Sequence, residues 1–410
     1  MAPGVSFLRF LRENAPWLGA GFAISLLSTF GQTSFIAVFA GELTLRHDLT
    51  QGGWAAIYAV GTTLSAAVMV WAGGLADTVP LPRLTAIMLA GLAASCVGMA
   101  IAPGVWALPV LVLGLRFFGQ GMMSHIASVA TARWFVRARG RALAITAFGF
   151  AAGQAVLPLL YASALLRVPA GALWLASAAI CLASILPVMR LMARPRTPAG
   201  TAEGEDESAG RGGRHWTRPE VLRTALFWGL VPALVGSPAF GTAFLFFQVH
   251  LPEVKGWSQV GFVALFPVFM GASVVTTFAA GALIDRYGAS RLLAPALLPM
   301  AAGFALLAGA PTLAAAVPAV ILLALTQGAM NTVPVALWAE QFGTRHIGAV
   351  KAAAVAIMVF ATAAGPGVVG HLIDRGIDFP AQMPWIAGYI VLSAALAAAV
   401  LRANGRVAPA

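Results

Sequence analysis

Charge is what this sequence has least of. Only 10% of its 410 residues are charged, and Asp and Glu together number 14, whereas a soluble globular domain carries about 25% charged residues. Beside a hydrophobic share of 60%, that scarcity excludes an ordinary soluble domain. Cysteine is scarcer still: Cys96 and Cys181 both fall inside apolar runs, which leaves no disulfide framework to build. The 6 histidines form no His and Asp cluster and no Ser and His pair of the kind a membrane-face enzyme needs. No catalytic constellation, metal site or cofactor is therefore expected.

What is present is apolar sequence in long, continuous runs. A bilayer span needs about 20 mostly apolar residues, and only helices or closed barrels satisfy their backbone groups in hydrocarbon. Continuous rather than alternating runs select helices. Hydropathy places twelve spans, starting near Pro16, Gly53, Leu84, Val105, Ala142, Gly171, Thr224, Ser258, Arg291, Thr312, Ala349 and Pro384. The stretch from Trp17 to Ala40 behind Arg9 and Arg12 is longer than the 7 to 15 residues of a signal-peptide core, so it reads as a retained first span.

The net charge of +11 would suggest a nucleic-acid partner if the bases clustered on one soluble face. They sit instead in short loops, and no nucleic-acid partner is expected. With the N-terminus placed inside, only Arg46, Arg167, Lys255 and Arg375 of the 25 bases fall in outside segments, and only Arg116 falls within a span. The positive-inside rule then predicts both termini in the cytoplasm and an inner-membrane location. Between about Ala193 and Glu220 the chain turns polar, with the acidic run Glu203, Glu205, Asp206 and Glu207 followed by Gly210, Gly212 and Gly213. That composition predicts a disordered linker over 193–221, between six-helix bundles at 1–192 and 222–410.

The halves repeat. Gly74-Leu75-Ala76-Asp77 matches Ala282-Leu283-Ile284-Asp285 at an offset of 208, Gln120-Gly121 matches Gln327-Gly328 at 207, and Phe30-Gly31 resembles Phe240-Gly241 at 210. Three markers in one order at nearly one offset predict two pseudo-symmetric bundles.

At these residues the chain resembles the major facilitator superfamily. The loop signature of that family, Gly-x-Leu-x-Asp-Arg-x-Gly-x-Arg or Lys, stands nearly complete as Gly281, Leu283, Asp285, Arg286, Gly288 and Arg291. The first copy departs from it: Gly73, Leu75 and Asp77 are followed by Thr78, Val79 and Pro80, with Arg83 the nearest base. The resemblance implies an all-α membrane protein of twelve transmembrane helices in two six-helix bundles, working as a monomeric secondary transporter by alternating access. Its partners would be a small-molecule substrate, the lipid bilayer and, as candidate coupling ion, the proton. It further implies inner-gate latches at Asp77, held by Arg83, Arg133 or Arg137, and at Asp285, held by Arg286, Arg291 or Arg345. A narrower similarity lies in Trp134-Phe135-Val136-Arg137-Ala138-Arg139-Gly140-Arg141-Ala142, continuing to Gly149 and Gly153. It looks like the start of the fifth helix in monocarboxylate and oxalate-formate facilitators. The chain lacks the acidic, glycine-rich first-helix start of the animal monocarboxylate carriers, and an Arg in the eighth helix.

Arg116 is the sharpest single residue. A guanidinium at a helix centre costs about 2.5 to 3.5 kcal/mol on insertion scales, so it should face the bundle interior or a watery cavity. It reads either as a ligand for an anionic substrate or as an intra-bundle hydrogen-bond anchor. No Asp or Glu lies clearly within a span: Glu42 and Glu340 stand at helix ends. His125 is the remaining titratable candidate for proton exchange, against the plainer reading of a histidine satisfied by carbonyls. Gln32, Gln154, Gln248, Gln327 and Asn331 offer uncharged hydrogen bonds toward a substrate, or pin helices together. Drug antiporters of this family carry Gly-Pro in the fifth helix, whereas Gln154 follows Gly153 here.

These features favour transport of a small organic anion such as a carboxylate. The alternatives are efflux of amphipathic or drug-like compounds, and a membrane sensor or partner-binding protein that retains the fold without transport.

Overall fold

The structure, a computed structural model, describes residues 7–135, 139–194 and 210–405. Among them eleven helices are long and apolar enough to cross a bilayer, and a bent pair, Ala15–Gly31 with Thr33–His47, makes twelve when counted as one span. The second to sixth spans run Gln51–Thr78, Leu81–Ile101, Val105–Trp134, Gly140–Ala164 and Ala170–Met192. The seventh to twelfth run Ala225–Phe246, Gln259–Tyr287, Ala289–Gly309, Leu313–Phe342, Ala353–Asp374 and Phe379–Asn404. No strand occurs among the described residues. The chain is a multi-pass membrane protein. Several helices start at hydroxyl caps that satisfy the first free N–H groups: Thr224 accepts from Phe227, Ser258 from Gly261 and Thr312 from Ala315.

The first span is not continuous. Gln32 is extended at φ −83° and ψ 153°, and the helices on either side meet at 47°. Gly31 explains why the break is tolerated there. A Cβ on Gly31 would stand 2.0 Å from the Leu115 carbonyl oxygen and 2.7 Å from Gly119 Cα, so the two backbones meet with no room for a side chain. The fourth span answers with a wide turn of its own, Leu115–Met123 in π geometry between α-helical Leu108–Gly114 and Ser124–Trp134. Such π segments are rare and tend to occur at functional sites.

Contacts divide the chain into one unit of Met1–Glu42 with Val60–Glu203 and another of Leu43–Ala59 with Gly204–Ala410. The division near Glu203 falls inside the expected linker. The assignment of Leu43–Ala59 to the second unit differs from a simple split into halves. It follows from specific contacts within that unit. Asp374 accepts from Gly52 N–H at 3.0 Å and Thr50 Oγ1 at 2.8 Å, while Trp54 stacks on Phe246 and Tyr58 leans against the same ring.

The core of the first unit centres on Phe30, Phe35, Phe39, Tyr161 and Trp174, with Phe39 stacked on Trp174 at 4.2 Å and Tyr161 edge-on to Phe35 at 4.8 Å. In the second unit Phe244 packs against Phe262, Phe266 and Phe269.

The expected linker is ordered in its second part. Gly210 lies against Phe342 and Gly343, Trp216 N–H donates to Phe342 O at 3.0 Å, and the Arg211 and Arg214 guanidinium groups sit 5.3 and 4.4 Å from the Trp216 ring centroid. A capping box between Thr217 and Glu220 then starts the helix Arg218–Leu222. Hydrogen bonds from Thr217, backbone and hydroxyl, hold the Glu220 carboxyl below its usual range, with Arg214 adding to the effect. Composition pointed to disorder here because glycine and charge were counted without the aromatic anchor. The acidic run Glu203 to Glu207 lies outside the described residues, as does Arg137.

Candidate functional site

Where the first span breaks, the fourth presents a charge. Arg116 is the second residue of the π segment and only 4% exposed. Its Nη1 donates to Thr33 Oγ1 at 3.2 Å and approaches Gly31 O at 3.5 Å. Both oxygens flank Gln32, itself buried. One residue beyond Thr33, the Ser34 hydroxyl donates to Gln154 Oε1 of the fifth span. A guanidinium, a carboxamide and two hydroxyls from three spans thus converge within the first unit, beside the rings of Phe30 and Phe35. Among the described residues no Asp or Glu side chain is buried. The positive charge of Arg116 therefore stands in an interior whose buried side chains carry no negative charge. An anionic group entering that interior would gain a strong, directional partner.

The other candidates make contacts of their own. His125 Nε2 is 3.2 Å from Gly73 O, which ties the fourth span to the end of the second. Gln248 is fully buried but sits in the turn after the seventh span rather than within it. Gln327 faces Gly241: a Cβ there would meet its Oε1 at 3.4 Å. Asn331 is exposed and donates to Thr277 Oγ1 at 3.2 Å, and Thr277 in turn donates to Gly328 O at 3.0 Å. These last three belong to the second unit.

The two copies of the loop signature are built differently. In the first, Arg133 Nη2 meets Asp77 Oδ1 at 2.5 Å while its Nη1 donates to Ala76 O at 2.9 Å. The pair is largely exposed, so it contributes little by itself. Arg83 is exposed and forms no ion pair among the described residues. In the second copy Asp285 is exposed and likewise has no ion pair among the described residues. Arg286 lies over Tyr287 with its Cζ 5.2 Å from the ring, Arg291 is exposed, and Arg345 donates its backbone N–H to His215 Nδ1 at 3.4 Å. The carboxylate hydrogen-bonded there is Glu340, which accepts from Ala289 N–H at 2.7 Å and Ser290 N–H at 3.2 Å at the start of the ninth span. Gln341 Nε2 braces the same turn through Ser290 Oγ at 2.7 Å.

Sequence reasoning missed this use of Glu340, although a signal was available. The offset of 207 that relates Gln120 to Gln327 also relates Arg133 to Glu340. One position of the repeat thus holds a base that reaches a loop carboxylate, and its mate an acid that caps a helix. Thr33 was missed as well, for it sits beside Gln32 in an apolar run with no pattern to single it out.

Comparison with known proteins gives the fold its relatives. The model of the Major Facilitator Superfamily matches residues 18–366. An uncharacterized 38 kDa protein in the 23S RNA operon of Thermoproteus tenax is 28% identical over 337 residues, covering 81% of this chain and 82% of its own. Among solved structures, a bacterial homolog of the human lysosomal transporter Spinster, inward-facing and unoccupied, superposes with a TM-score of 0.69 at 17% identity over 97% of this chain and 99% of its own. The nucleoside transporter NupG gives 0.71 at 16% identity over 94% and 99%. At such identities the structural likeness speaks for the fold alone. The family match spans most of the sequence and falls on the helices and loops just described, and the chain belongs to the major facilitator superfamily.

Proposed function

We propose that this transporter moves a small organic anion, a carboxylate in the first instance, across the inner membrane by alternating access. Both termini would lie in the cytoplasm, and one chain would suffice. The observation that carries the reading is Arg116, a buried guanidinium at the break of the first span, in a protein with no buried carboxylate among its described residues. A guanidinium grips a carboxylate through two parallel hydrogen bonds. Gln32, Ser34 and Gln154 supply neutral donors and acceptors beside it; Gln248, Gln327 and Asn331 are candidate polar contacts of the second unit taken by itself. The run from Trp134 to Ala142 and its likeness to carboxylate facilitators supports the same substrate class.

Protons are the candidate coupling ion, with His125 the titratable group nearest to this chemistry along the fourth span. Asp77 with Arg133, and Glu340 at the start of the ninth span, would steady the cytoplasmic ends of the bundles between the two access states. Arg83, Arg286, Arg291 and Arg345 are exposed bases from which a second state can draw partners for Asp77 and Asp285.

Uptake of labelled mono- and dicarboxylates into proteoliposomes, with and without an imposed proton gradient, tests the proposal. Nucleosides and amphipathic cations serve as competing arms. Saturable uptake of a carboxylate that is lost in Arg116→Gln supports the reading. Uptake confined to nucleosides or cations would overturn it.

A further inference from the structure

The first unit carries a second feature, outside the Arg116 cluster. Between the first and sixth spans runs a groove of about 510 Å³, lined among others by Phe22, Ala23 and Leu26 on one side and Ile180, Ala183 and Pro187 on the other. Its volume falls within the range of small-ligand clefts, about 300 to 1,000 Å³. Two local features mark it. Pro187 has no N–H to give to the Ala183 carbonyl, so the sixth helix lacks that rung. Ala23 and Ala183 bring only methyl groups to its lining. The Ser184 hydroxyl is already committed to Ile180 O at 2.7 Å. What remains is an apolar slot.

One end of the slot is charged. Ile180, Ala183, Ser184, Pro187 and Leu191 follow one helical stripe, and its next positions are Arg190 and Arg194. Both are exposed, and neither forms an ion pair among the described residues. The Trp17 indole N–H donates to Arg194 O at 3.3 Å, which fastens the start of the first span to the end of the sixth. An indole beside two arginines at the ends of two spans is the chemistry of the membrane interface.

From this arrangement we infer that the groove holds one anionic phospholipid, its acyl chain along the Ala23 and Ala183 walls and its phosphate against Arg190 and Arg194. Any apolar face of a span is coated by lipid. An open groove between two helices, with two guanidinium groups on the same helical stripe beyond its end, selects one lipid by headgroup and holds it longer than the annulus. A soluble anion has no use for the slot, and a zwitterionic lipid brings a choline cation to a mouth already positive.

The test is retention of phosphatidylglycerol against phosphatidylcholine of the same acyl chains by the purified full-length protein, read by native mass spectrometry after stepwise delipidation. Phosphatidylglycerol should outlast phosphatidylcholine on the wild type. The pair Arg190→Gln with Arg194→Gln should weaken its retention by roughly fivefold per guanidinium removed, whereas Arg190→Lys with Arg194→Lys keeps most of it. Ala183→Leu, or Ala23→Leu from the facing helix, fills the slot and should shorten retention with both arginines intact. Equal retention of the two lipids, an unchanged Gln pair, or competition by glycerol phosphate as strong as by phosphatidylglycerol would overturn the inference. None of these readouts depends on which solute is transported.

Discussion

Asp374 closes on Gly52 across 322 residues of chain: its carboxylate accepts the Gly52 N–H at 3.0 Å, and a Cβ on Gly52 would stand 2.2 Å from its Oδ2. Gly370 packs one turn away, where a Cβ would lie 2.9 Å from Ala55 Cβ and 3.1 Å from Gly52 Cα. Two glycines and a carboxylate thus fasten the start of the second span to the end of the eleventh. A hydrogen bond to a charged acceptor contributes about 1.5 to 3 kcal/mol when buried and less in an exposed site such as this. Asp374→Asn should therefore leave the protein folded but increase cysteine-labelling of a Leu49→Cys reporter, which leaves the Thr50 and Gly52 donors in place. Gly52→Val should do the same more strongly, by pushing the carboxylate away. Unchanged labelling in both variants would show that the contact holds nothing.

Gly31 and Gly119 make the tighter contact, backbone against backbone. A Cβ on Gly119 would stand 2.6 Å from Gly31 Cα and 2.8 Å from Gly31 N, and neither atom can move without its helix. Overpacking a tight site costs about 1 to 3 kcal/mol, and a backbone obstacle puts this one at the upper end. Gly119→Ala should sharply reduce the monodisperse fraction in size-exclusion chromatography. Gly271→Ala, where nothing lies within 4 Å, should behave as wild type. Equal behaviour of the two would show that the crossing of the first and fourth spans is looser than described.

Much of this architecture was legible in the sequence, for a reason lipid imposes: a span must be about 20 apolar residues long, so length and hydropathy locate it. The repeat was legible because a loop acid and two glycine-containing pairs within spans recur in one order at nearly one offset. The break at Gln32 was not, since Phe30, Gly31 and Ser34 read as one continuing helix. The wide turn from Leu115 to Met123 was equally hidden, because π geometry answers to the neighbouring backbone rather than to local composition. Arg116 was visible as a charge in a span, while its acceptors on Thr33 and Gly31 belong to another helix and appear only when the chain is folded. The loop signature drew attention to Asp285, yet the helix-capping acid is Glu340, since the free N–H groups of Ala289 and Ser290 point at it.

His250 gives a prediction in pH. Burial lowers its pKa from the ordinary value of 6.5, and Asp378 and Glu253 pull it partly back. The Asp378 carboxylate lies 3.5 Å from Nε2, an ion-pair approach rather than a hydrogen bond. A depressed pKa means that the folded state resists protonation. Its contribution is therefore complete above 6.5 and is lost as pH falls through the lower folded value. Between about pH 8 and about pH 5 the apparent melting temperature of the wild type should fall relative to that of His250→Gln. Asp378→Asn removes a charge that favours the protonated ring and should deepen the depression, so the loss grows and extends to lower pH. Parallel curves for wild type and His250→Gln would contradict this account.

Arg116 decides between two roles, and the geometry makes them separable. Its Nη1 reaches Thr33 Oγ1 at 3.2 Å, so the side chain already ties the fourth span to the first. If the tie is its purpose, Arg116→Lys and Arg116→Gln should both lower thermal stability, and Thr33→Val should reproduce part of the loss because the same bond is cut from the other end. If anion binding is its purpose, Thr33→Val should be nearly silent in carboxylate affinity. Arg116→Lys should then lose most of that affinity, since an ammonium cannot reproduce the planar fork, and Arg116→Gln nearly all of it. The proposed function expects the second pattern, with membrane abundance of both Arg116 variants close to wild type. Isothermal titration with the carboxylates found in the uptake panel, run beside thermal unfolding of the same preparations, reads both quantities at once. An Arg116→Gln protein that is destabilised yet binds carboxylate normally would assign the residue to the scaffold, and the case for an anionic substrate would fall with it.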